Sequence, residues 1–364
     1  MGICILFILL MLYSCSDSPH VEEGVATLRL SDAPNKNYQG MKQTDVQVVS
    51  LIPLELTEHS ILGESCTLID DSLGRIVLKD IGTVYVFDSK GNYLSSINQR
   101  GEGPQQYYNI FDASVDWEAK QIHVFDYPSC RLLTYSIENG SFAQAASWAS
   151  TEGMLSLGNG NWVVYNTPND TVPYDLSIYD KDGKRIWGRM RQTENPGNNY
   201  QVLRTFYKSN NEVHIYENDT IFRVKKEGGL HPLFCINKGK LTAPTDVLYD
   251  IRKKQERNQY IWGESFCFST RYCFLRFYYD NCIYSDVWDI TAGKLCYRNI
   301  AHSPADKIGF PTQIKGSTIY VWPTFVKNDT FYCLIDEATT MQLFPKKGED
   351  INPCVLKIDI VPNR

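Results

Sequence analysis

Gly82-Thr-Val-Tyr-Val-Phe-Asp-Ser-Lys-Gly91 and the following Asn92-Tyr-Leu-Ser-Ser-Ile97 form the stretch that decides the fold. Apolar residues alternate with polar ones on both sides of the Asp88-Ser-Lys-Gly91 segment. Such alternation is typical of half-buried strands, and a glycine supplies the positive φ that a tight turn between antiparallel strands needs. The stretch therefore predicts a β-hairpin.

The same hairpin recurs along the chain. In each copy a strand with an aromatic residue near its end precedes a turn that closes on a glycine, namely Gly91, Gly140, Gly183, Gly228 and Gly293. A sixth copy without glycine spans residues 334–340, after a strand at Ile319–Trp322. A period of about 40 to 50 residues with four short strands is typical of a β-propeller blade. We therefore predict an all-β fold, a six-bladed β-propeller of four-stranded blades.

One interval between turn glycines is longer than the others, and it contains a helical pattern. In residues 243–260, Val247, Leu248 and Ile251 are spaced as on one helix face, and Pro244 stands near the start. The pattern predicts a short helical insertion before the fifth blade, with its basic residues on the solvated side.

A propeller must also be closed, because its first and last sheets would otherwise present open edges. Residues 46–54 and 354–360 both read as strands, and we expect one or both to complete the sixth blade. The propeller domain is predicted over residues 45–362. The preceding residues 15–44 are largely polar and aperiodic, which predicts a flexible tether.

The N-terminus has the pattern of a processing signal. Residues 3–12 are apolar but too few to span a bilayer as a mature helix, and the run ends in Leu12-Tyr-Ser-Cys15. An apolar run closed by a Leu-x-small-Cys box resembles a bacterial lipoprotein signal, which implies cleavage after residue 14 and acyl chains on Cys15. We predict a lipoprotein in the cell envelope, at the outer membrane, whose membrane partner is reached through Cys15; a plain secretory signal is the alternative.

Charge and cysteine content narrow the range of partners. The formal net charge of -6 gives no basic footprint, so no nucleic-acid partner is expected.

Without Cys4 and Cys15 nine cysteines remain, and no Cys-x-x-Cys pair occurs, so no zinc site is predicted. Most should be buried small hydrophobic residues. Export would permit a disulfide among the four cysteines between 267 and 296.

Four stretches together resemble a known family: Ser50-Leu-Ile-Pro-Leu-Glu55, Phe87-Asp-Ser-Lys-Gly91, Arg100-Gly-Glu-Gly-Pro-Gln-Gln-Tyr107 and Asp219-Thr-Ile-Phe222. They are similar to the six-bladed β-propeller lipoproteins of gut anaerobes, which are related to NHL-repeat propellers. The resemblance covers residues 45–360 and implies a fold and an envelope location, but it brings no established activity. The Gly-Glu-Tyr ending usual in that family's glycine loop is here Gln105-Gln106-Tyr107.

The glycine-rich loop that follows the first hairpin is the candidate ligand site. It joins the outer strand of one blade to the inner strand of the next, and such loops lie where a propeller channel opens. Its glycines allow close backbone approach, and its side chains supply a charged and aromatic rim. The candidate ligand-binding residues are Arg100, Glu102, Gln105, Tyr107, Tyr108 and Asp112. The alternative is that the loop only connects blades and that Tyr107 packs between them.

The sequence offers little for catalysis. His123 and His214 occupy matching places in two second strands, where they serve either as metal ligands or as ordinary strand residues. No catalytic residue, metal site or cofactor is predicted, since no known catalytic or phosphate-binding motif occurs. We favour a binding module for a glycan, a peptide or a partner protein. A channel-centred hydrolase or lyase with a metal, and a structural subunit of an envelope complex, remain the alternatives.

Overall fold

Strands dominate the computed structural model of the chain, which describes residues 24–147, 153–158, 160–166, 173–190, 206–303, 306–345 and 350–361. The predicted signal peptide and Cys15 lie outside these residues. In chain order the strands are β1 (Ala26–Arg29), β2 (Tyr38–Gln39), β3 (Val46–Pro53), β4 (Thr67–Ser72), β5 (Arg75–Lys79), β6 (Val84–Asp88), β7 (Tyr93–Ile97), β8 (Asp112–Asp116), β9 (Gln121–Asp126), β10 (Arg131–Ser136), β11 (Phe142–Ser147), β12 (Gly153–Gly158), β13 (Asn161–Tyr165), β14 (Tyr174–Tyr179), β15 (Arg185–Met190), β16 (Phe206–Ser209), β17 (Glu212–Glu217), β18 (Thr220–Val224), β19 (Leu230–Asn237), β20 (Trp262–Phe268), β21 (Tyr272–Tyr279), β22 (Cys282–Asp289), β23 (Lys294–Ala301), β24 (Phe310–Ile314), β25 (Ser317–Val321), β26 (Phe325–Lys327), β27 (Thr330–Ile335) and β28 (Cys354–Ile360).

The hairpin predicted at residues 82–97 is present as β6 and β7. Gly91 ends its turn with φ +89 and donates its N–H to the carbonyl of Asp88 at 3.0 Å. A Cβ on Gly91 would lie 2.1 Å from the carbonyl oxygen of Pro53 in β3. Glycine is therefore required here both by the turn and by the strand that packs against it.

The strands form successive antiparallel groups. Three separate sheets contain β4–β7, β8–β11 and β12–β15 in chain order. A fourth sheet has the order β2-β23-β22-β21-β20, and β24 and β25 form a two-stranded sheet. In each of these four larger sheets the strand that begins the antiparallel run, such as β4 or β8, lies at one edge.

The largest sheet joins two further groups and closes the fold. Its nine strands have the order β1-β19-β18-β17-β16-β26-β27-β28-β3, and the two halves meet in a single parallel pairing of Ser209 with Val326. At its edge β28 pairs antiparallel with the N-terminal β3, with Val355 opposite Ile52. Both strands predicted to close the propeller therefore do so, in one sheet.

The strands β4, β8, β12, β16, β20 and β26, called the inner strands below, follow one another around a common axis. Among the described residues, six apolar clusters lie between neighbouring strand groups rather than in one centre. In one of them Val77 and Val86 of the first group meet Val124 and Leu133 of the second. This radial stacking confirms the all-β propeller. The number of six blades stays a prediction, because two groups share one hydrogen-bonded sheet.

Short loops with left-handed backbone connect many of the strands. The pairs Asn210-Asn211, Asn218-Asp219, Asp280-Asn281 and Asn328-Asp329 all have positive φ at both residues. Two such residues fit the type I′ turn, whose twist matches that of a β-hairpin, and Asn and Asp tolerate this conformation better than most residues. Asn210-Asn211 and Asn328-Asp329 follow the inner edge strands β16 and β26, whereas Asn218-Asp219 and Asp280-Asn281 join the second and third strands of their groups.

The flexible tether predicted for residues 15–44 is wrong for residues 26–39, which contain the paired strands β1 and β2. β1 pairs in parallel with β19, and β2 pairs with β23. Leu28 and Leu30 are buried among the apolar residues of β19 to β23. Removing these side chains from water lowers the free energy of the folded state, so the segment packs onto the domain instead of remaining a solvated linker. Residues 15–23 lie outside the described part of the chain.

The helical insertion is present but shorter than predicted. α1 covers Thr245–Tyr249 after Pro244, and two turns of 3₁₀ helix follow at Ile251–Lys253 and Glu256–Gln259. Its basic residues are not all solvated. Arg257 is 4% exposed and donates from Nε to the carbonyl of Val247 at 3.1 Å, which satisfies one end of the short helix.

The sixth turn copy, at residues 334–340, is wrong as a hairpin. Residues 334 and 335 end β27, and α2 (Glu337–Leu343) follows, where Asp336 accepts a hydrogen bond from the N–H of Thr339 and so caps the helix. The predicted strand at Ile319–Trp322 belongs to the additional β24–β25 hairpin instead. The last strand group has the order β26-β27-β28-β3. Its outer strand β3 comes from the N-terminal part of the chain, so no hairpin turn is needed to reach it.

All nine cysteines from Cys66 to Cys354 are free thiols, so the disulfide considered between residues 267 and 296 is not formed. Seven are buried, as expected for small hydrophobic residues, and Cys130 and Cys296 are half-buried. No helix in the described residues has the length and apolar character needed to cross a membrane.

Candidate functional site

A cavity of about 190 Å³ lies on the axis where the inner strands meet. Every inner strand contributes to its wall. The lining includes Thr67–Ile69, Asp112–Ser114, Leu155, Ser156, Phe206–Ser209, Phe266–Phe268, Thr324 and Phe325, with Lys79 from β5. We call this the central cavity. Concave sites with a few convergent polar groups in an apolar wall are the usual places for ligands.

A cluster of charges, called the floor below, adjoins the central cavity through Lys208, which lines it. Asp70 is 1% exposed, and its two carboxylate oxygens lie 2.6 Å from Nζ of Lys208 and 2.9 Å from Nζ of Lys327. Lys327 also contacts the hydroxyl of Ser72. Burial alone would raise the pKa of Asp70, but the two ammonium groups outweigh it and lower that pKa. The floor therefore holds one carboxylate and two cations, bridging β4, β16 and β26.

The wall above this floor carries a second carboxyl group. Asp112, the first residue of β8, is half-buried, and burial raises its pKa to about 6, although Lys79 and Lys208 act in the opposite direction. One oxygen accepts the N–H of Ala113 at 2.8 Å. The side-chain ammonium of Lys79 has neither a hydrogen bond nor an ion pair within the described ranges. A free ammonium group thus lies near a carboxyl group that titrates close to neutral pH.

A buried hydroxyl completes the polar wall. Ser114 is 4% exposed and lines the central cavity, and its Oγ has no hydrogen-bond partner within the described ranges. An unsatisfied buried hydroxyl costs free energy, so such groups are uncommon in native proteins. A ligand in the cavity would offer the missing partner.

Exposed and half-buried aromatic side chains stand where the two inner strands β8 and β20 begin, and we call this end of the inner strands the mouth. Phe111 directly precedes Asp112, is 51% exposed, and lies 5.3 Å from the ring of Tyr127. A second pair, Trp262 and Tyr278, stacks at 4.8 Å at the start of β20. Because the inner strands of a propeller run in one direction, both pairs lie on the same face. Such rings offer apolar contact area to a ligand at the mouth.

The predicted loop residues are divided between structural and exposed positions. Arg100 donates to the carbonyl of Tyr108 at 3.3 Å and to the side chain of Asn109 at 3.2 Å, so it holds the loop that leads to β8. Glu102 and Gln105 are exposed, and the carbonyl of Gln105 accepts the hydroxyl of Tyr135 at 2.9 Å. The ring of Tyr108 is 44% exposed. Among the predicted residues, the structure places only Asp112 in the central cavity.

Tyr107 is a core residue rather than part of a ligand-binding rim. Its side chain is fully buried, and its hydroxyl lies 2.9 Å from the carbonyl of Gly82 and 3.0 Å from that of Ile97. The ring meets Tyr135 of the second strand group edge-on at 6.3 Å. Burial raises the pKa of Tyr107 to about 12. Packing between blades, the alternative considered from the sequence, describes this residue.

His123 and His214 do occupy matching depths, and each packs against the next strand group. The His123 ring lies edge-on to Trp162 at 4.7 Å, and its Nδ1 is 3.0 Å from the hydroxyl of Thr134. The His214 ring lies 4.9 Å from that of Phe268. Burial lowers the pKa of both histidines to about 4. In the part of the chain that the structure describes, no group of three or more His, Cys, Asp or Glu side chains is placed to hold a metal ion.

Comparison with protein families gives one match, to a domain of unknown function, DUF4934, over residues 29–358. The chain belongs to the DUF4934 family. The matched range begins in β1 and ends in β28, so it includes every inner strand of the DUF4934 propeller and the strand pairing that closes it.

Several solved structures are similar to this DUF4934 protein. A Bacteroides fragilis protein described as exported is 18% identical, with a TM-score of 0.68 over 92% of this chain and 99% of that one. A member of the DUF4221 family from Bacteroides vulgatus is 12% identical, with a TM-score of 0.50 over 88% and 100% of the two chains. At these identities the likeness concerns the fold. Comparison with curated proteins finds no match.

Three residues of the DUF4934 cavity were not found from the sequence: Lys79, Ser114 and Lys208. A signal for two of them exists, because Ser114 and Lys208 are the third residues of β8 and β16, and Lys327 is the third residue of β26. Polar residues at one depth in several inner strands must face a common axis. That comparison needs the strand boundaries to within one residue, which the hairpin pattern did not supply.

Proposed function

We propose that this protein is an envelope lipoprotein whose six-bladed, NHL-like propeller is a binding module, with its ligand held at the mouth and in the central cavity. The observation that carries the proposal is the convergence of Lys79, Asp112 and the unpartnered hydroxyl of Ser114 on one cavity. The exposed pair Phe111–Tyr127 and the partly exposed pair Trp262–Tyr278 add apolar contact area at the same face. Polar groups deep in a cavity and aromatic rings at its mouth suit the recognition of one end of a glycan, a peptide or a partner protein.

The proposed envelope location is supported by the sequence of the first residues and by one relative. The apolar run ending at Cys15 has the form of a lipoprotein signal. The similar Bacteroides fragilis protein is described as exported. Expression of the full chain in a Bacteroides host with a labelled fatty acid should label the wild-type protein and leave Cys15→Ala unlabelled. An unlabelled wild-type protein found in the soluble fraction would overturn the anchor.

The binding proposal is tested with arrays of glycans and peptides. The chain from residue 16 onward is compared with the double variant Phe111→Ala, Tyr127→Ala. We expect at least one class of array ligand to bind the wild type and to be lost in the double variant. Leu94→Ala, which removes a 47% exposed side chain from the outer strand β7, serves as the control and should keep binding. Equal binding by all three proteins would place the ligand elsewhere.

A second candidate, a channel-centred hydrolase or lyase, is favoured by one observation. A carboxyl group whose pKa is raised to about 6 in a cavity, as for Asp112, is suited to general acid catalysis. The two candidates differ in the fate of the ligand. A binding module returns an array ligand unchanged after long incubation, whereas an enzyme yields products that disappear in Asp112→Asn. Mass spectrometry of the recovered ligand distinguishes these outcomes.

A further inference from the structure

The central cavity has a surplus of positive charge in a chain that is acidic overall. Lys79, Lys208 and Lys327 face the carboxyl groups of Asp70 and Asp112, so at least one positive charge is not balanced. The formal net charge of the whole chain is -6. A cationic pocket in an acidic protein selects for an anionic group on its ligand, because the surrounding surface repels that group and the pocket attracts it.

The donors in this cavity are also incompletely used. Lys208 gives one hydrogen bond to Asp70 at 2.6 Å, and an ammonium group has three donors. The Nζ of Lys79 and the Oγ of Ser114 have no hydrogen-bond partner in the described ranges. Three donors from β5, β8 and β16 therefore face the same small space. An acceptor with two oxygens, such as a carboxylate, would satisfy them with charge-assisted hydrogen bonds.

We infer that the central cavity binds the carboxylate of its ligand, held by Lys79 and Lys208 and by the hydroxyl of Ser114. This inference rests on the proposed binding function and adds the ligand's chemical class to it. A carboxylate suits the site better than a phosphate monoester because the surplus is a single charge. A sulfate ester also carries one charge, so it is separated from a carboxylate by the sulfated probe below. It also suits Asp112, since two neighbouring carboxyl groups share one proton readily. The carboxylate belongs either to a uronic acid at the end of a glycan or to the C-terminus of a peptide.

Two pairs of probes test the inference and separate the two sources. The first pair is trigalacturonic acid and its methyl ester, and the second is the peptide Ala-Ala-Tyr and its amide. Isothermal titration of the chain from residue 16 onward should show that the acid of at least one pair binds about ten-fold or more tightly than its neutral partner. Whichever pair shows this preference identifies the source.

Matched variants place the effect in the cavity. Lys79→Met and Ser114→Ala should each weaken binding of the acid probe by about five-fold or more, because each removes a donor to the carboxylate. Lys90→Met removes an exposed lysine from the β6–β7 turn, and Ser177→Ala removes another buried hydroxyl that has no partner among the described residues. Both controls should bind as the wild type does. Ser114→Ala and Ser177→Ala should both keep wild-type stability, so a loss of binding in Ser114→Ala is not a loss of fold.

The pH provides a further readout. Asp112 is faced by Lys79 from β5, by Lys208 from β16 and by the N–H of Ala113. Ionised Asp112 repels a bound carboxylate, and protonated Asp112 donates to it, so the acid probe should bind about five-fold or more tightly at pH 5 than at pH 7.5. Asp112→Asn should remove most of this difference.

Several results would overturn the inference. These are equal affinity for the acid and neutral forms, unchanged binding in Lys79→Met, tighter binding of a sulfated trisaccharide, or no binding of either acid at millimolar concentration. An array ligand that depends on Phe111 and Tyr127 but tolerates esterification or amidation would refute the carboxylate and leave the binding module intact. If the wild-type protein binds no array ligand at all, both the carboxylate inference and the proposed binding function are refuted.

Discussion

Acidification should destabilise the protein through two buried histidines. His123 is 8% exposed and His214 is 2% exposed, and burial lowers the pKa of each to about 4. Histidine in an unfolded chain titrates near 6.5, so between these pH values the unfolded state binds more protons than the folded state. The free energy of unfolding therefore falls as the pH falls from about 6.5 towards 4. Between pH 7.5 and pH 5 the loss is about 2 kcal/mol for each histidine and about 4 kcal/mol for both.

Asp112 changes stability in the opposite direction over the same interval. Burial raises its pKa to about 6, whereas an unfolded aspartate titrates near 3.9. The folded state thus binds the extra proton, and acidification to pH 5 stabilises it by about 1 kcal/mol. The pH dependence of the wild type is a sum of such contributions. The histidines must therefore be isolated by substitution rather than read from the wild-type curve.

The assay is urea unfolding at pH 7.5 and pH 5 for the wild type and for His123→Gln, His214→Gln. The drop in unfolding free energy between the two pH values should be about 4 kcal/mol smaller in the double variant. His231→Gln, which changes an exposed histidine of β19, should keep the wild-type drop. The reasoning is refuted if the double variant loses as much stability on acidification as the wild type. A native-state NMR titration in which either ring protonates near pH 6.5 would refute it equally.

Three further predictions concern stability, each measured as the urea midpoint at pH 7.5. Asp70→Asn leaves Lys327 buried without its anion and should cost about 3 to 5 kcal/mol; a loss below 1 kcal/mol would mean that solvent reaches the floor. Gly91→Ala places a Cβ 2.1 Å from the backbone of β3 and should cost more than Gly74→Ala, whose φ of +73 is similar but whose surroundings are open. We expect about 2 to 3 kcal/mol against about 1, and equal costs would contradict the close approach. Tyr107→Phe removes a hydroxyl that shares its one hydrogen between two carbonyl groups and accepts the N–H of Gln99, so it should cost about 1 to 3 kcal/mol. No change would contradict the core assignment.

The fold could be predicted because its information is local and repeated. The residues of the segment Asp88-Ser-Lys-Gly91 are sufficient to predict a turn, and comparable segments that end at Gly140 and Gly183 repeat it at the spacing of propeller blades. Closure was also predictable, because β3 and β28 are apolar strands with no other partner in the repeat pattern. The N-terminal strand β1 was missed for the opposite reason. It has only four residues, and what makes Leu28 a core residue is a surface formed by strands about 200 residues later.

The site could be predicted only where it coincides with a local pattern. Asp112 was found because it follows the glycine-rich loop and begins a strand. Lys208 was not found, since nothing near it in the sequence indicates that Asp70 lies 2.6 Å away across the axis. A pairing over 138 residues depends on how the sheets are arranged around the ring, and a slip of one residue in β16 would turn Lys208 away from the cavity.

The most conspicuous motif in the sequence is thereby explained without a ligand. Gly101 and Gly103 approach the side chain of Gln106, and Tyr107 fills the space between the first two strand groups. The loop holds neighbouring sheets together. Its contacts involve residues that are close in sequence, so they produce a motif of consecutive residues. A pocket on the axis has no such continuity, because each inner strand contributes only a few side chains to it. In a propeller, the most conspicuous sequence motifs therefore indicate packing between blades. Ligand-binding residues are better predicted by comparing residues at equal depth on different inner strands.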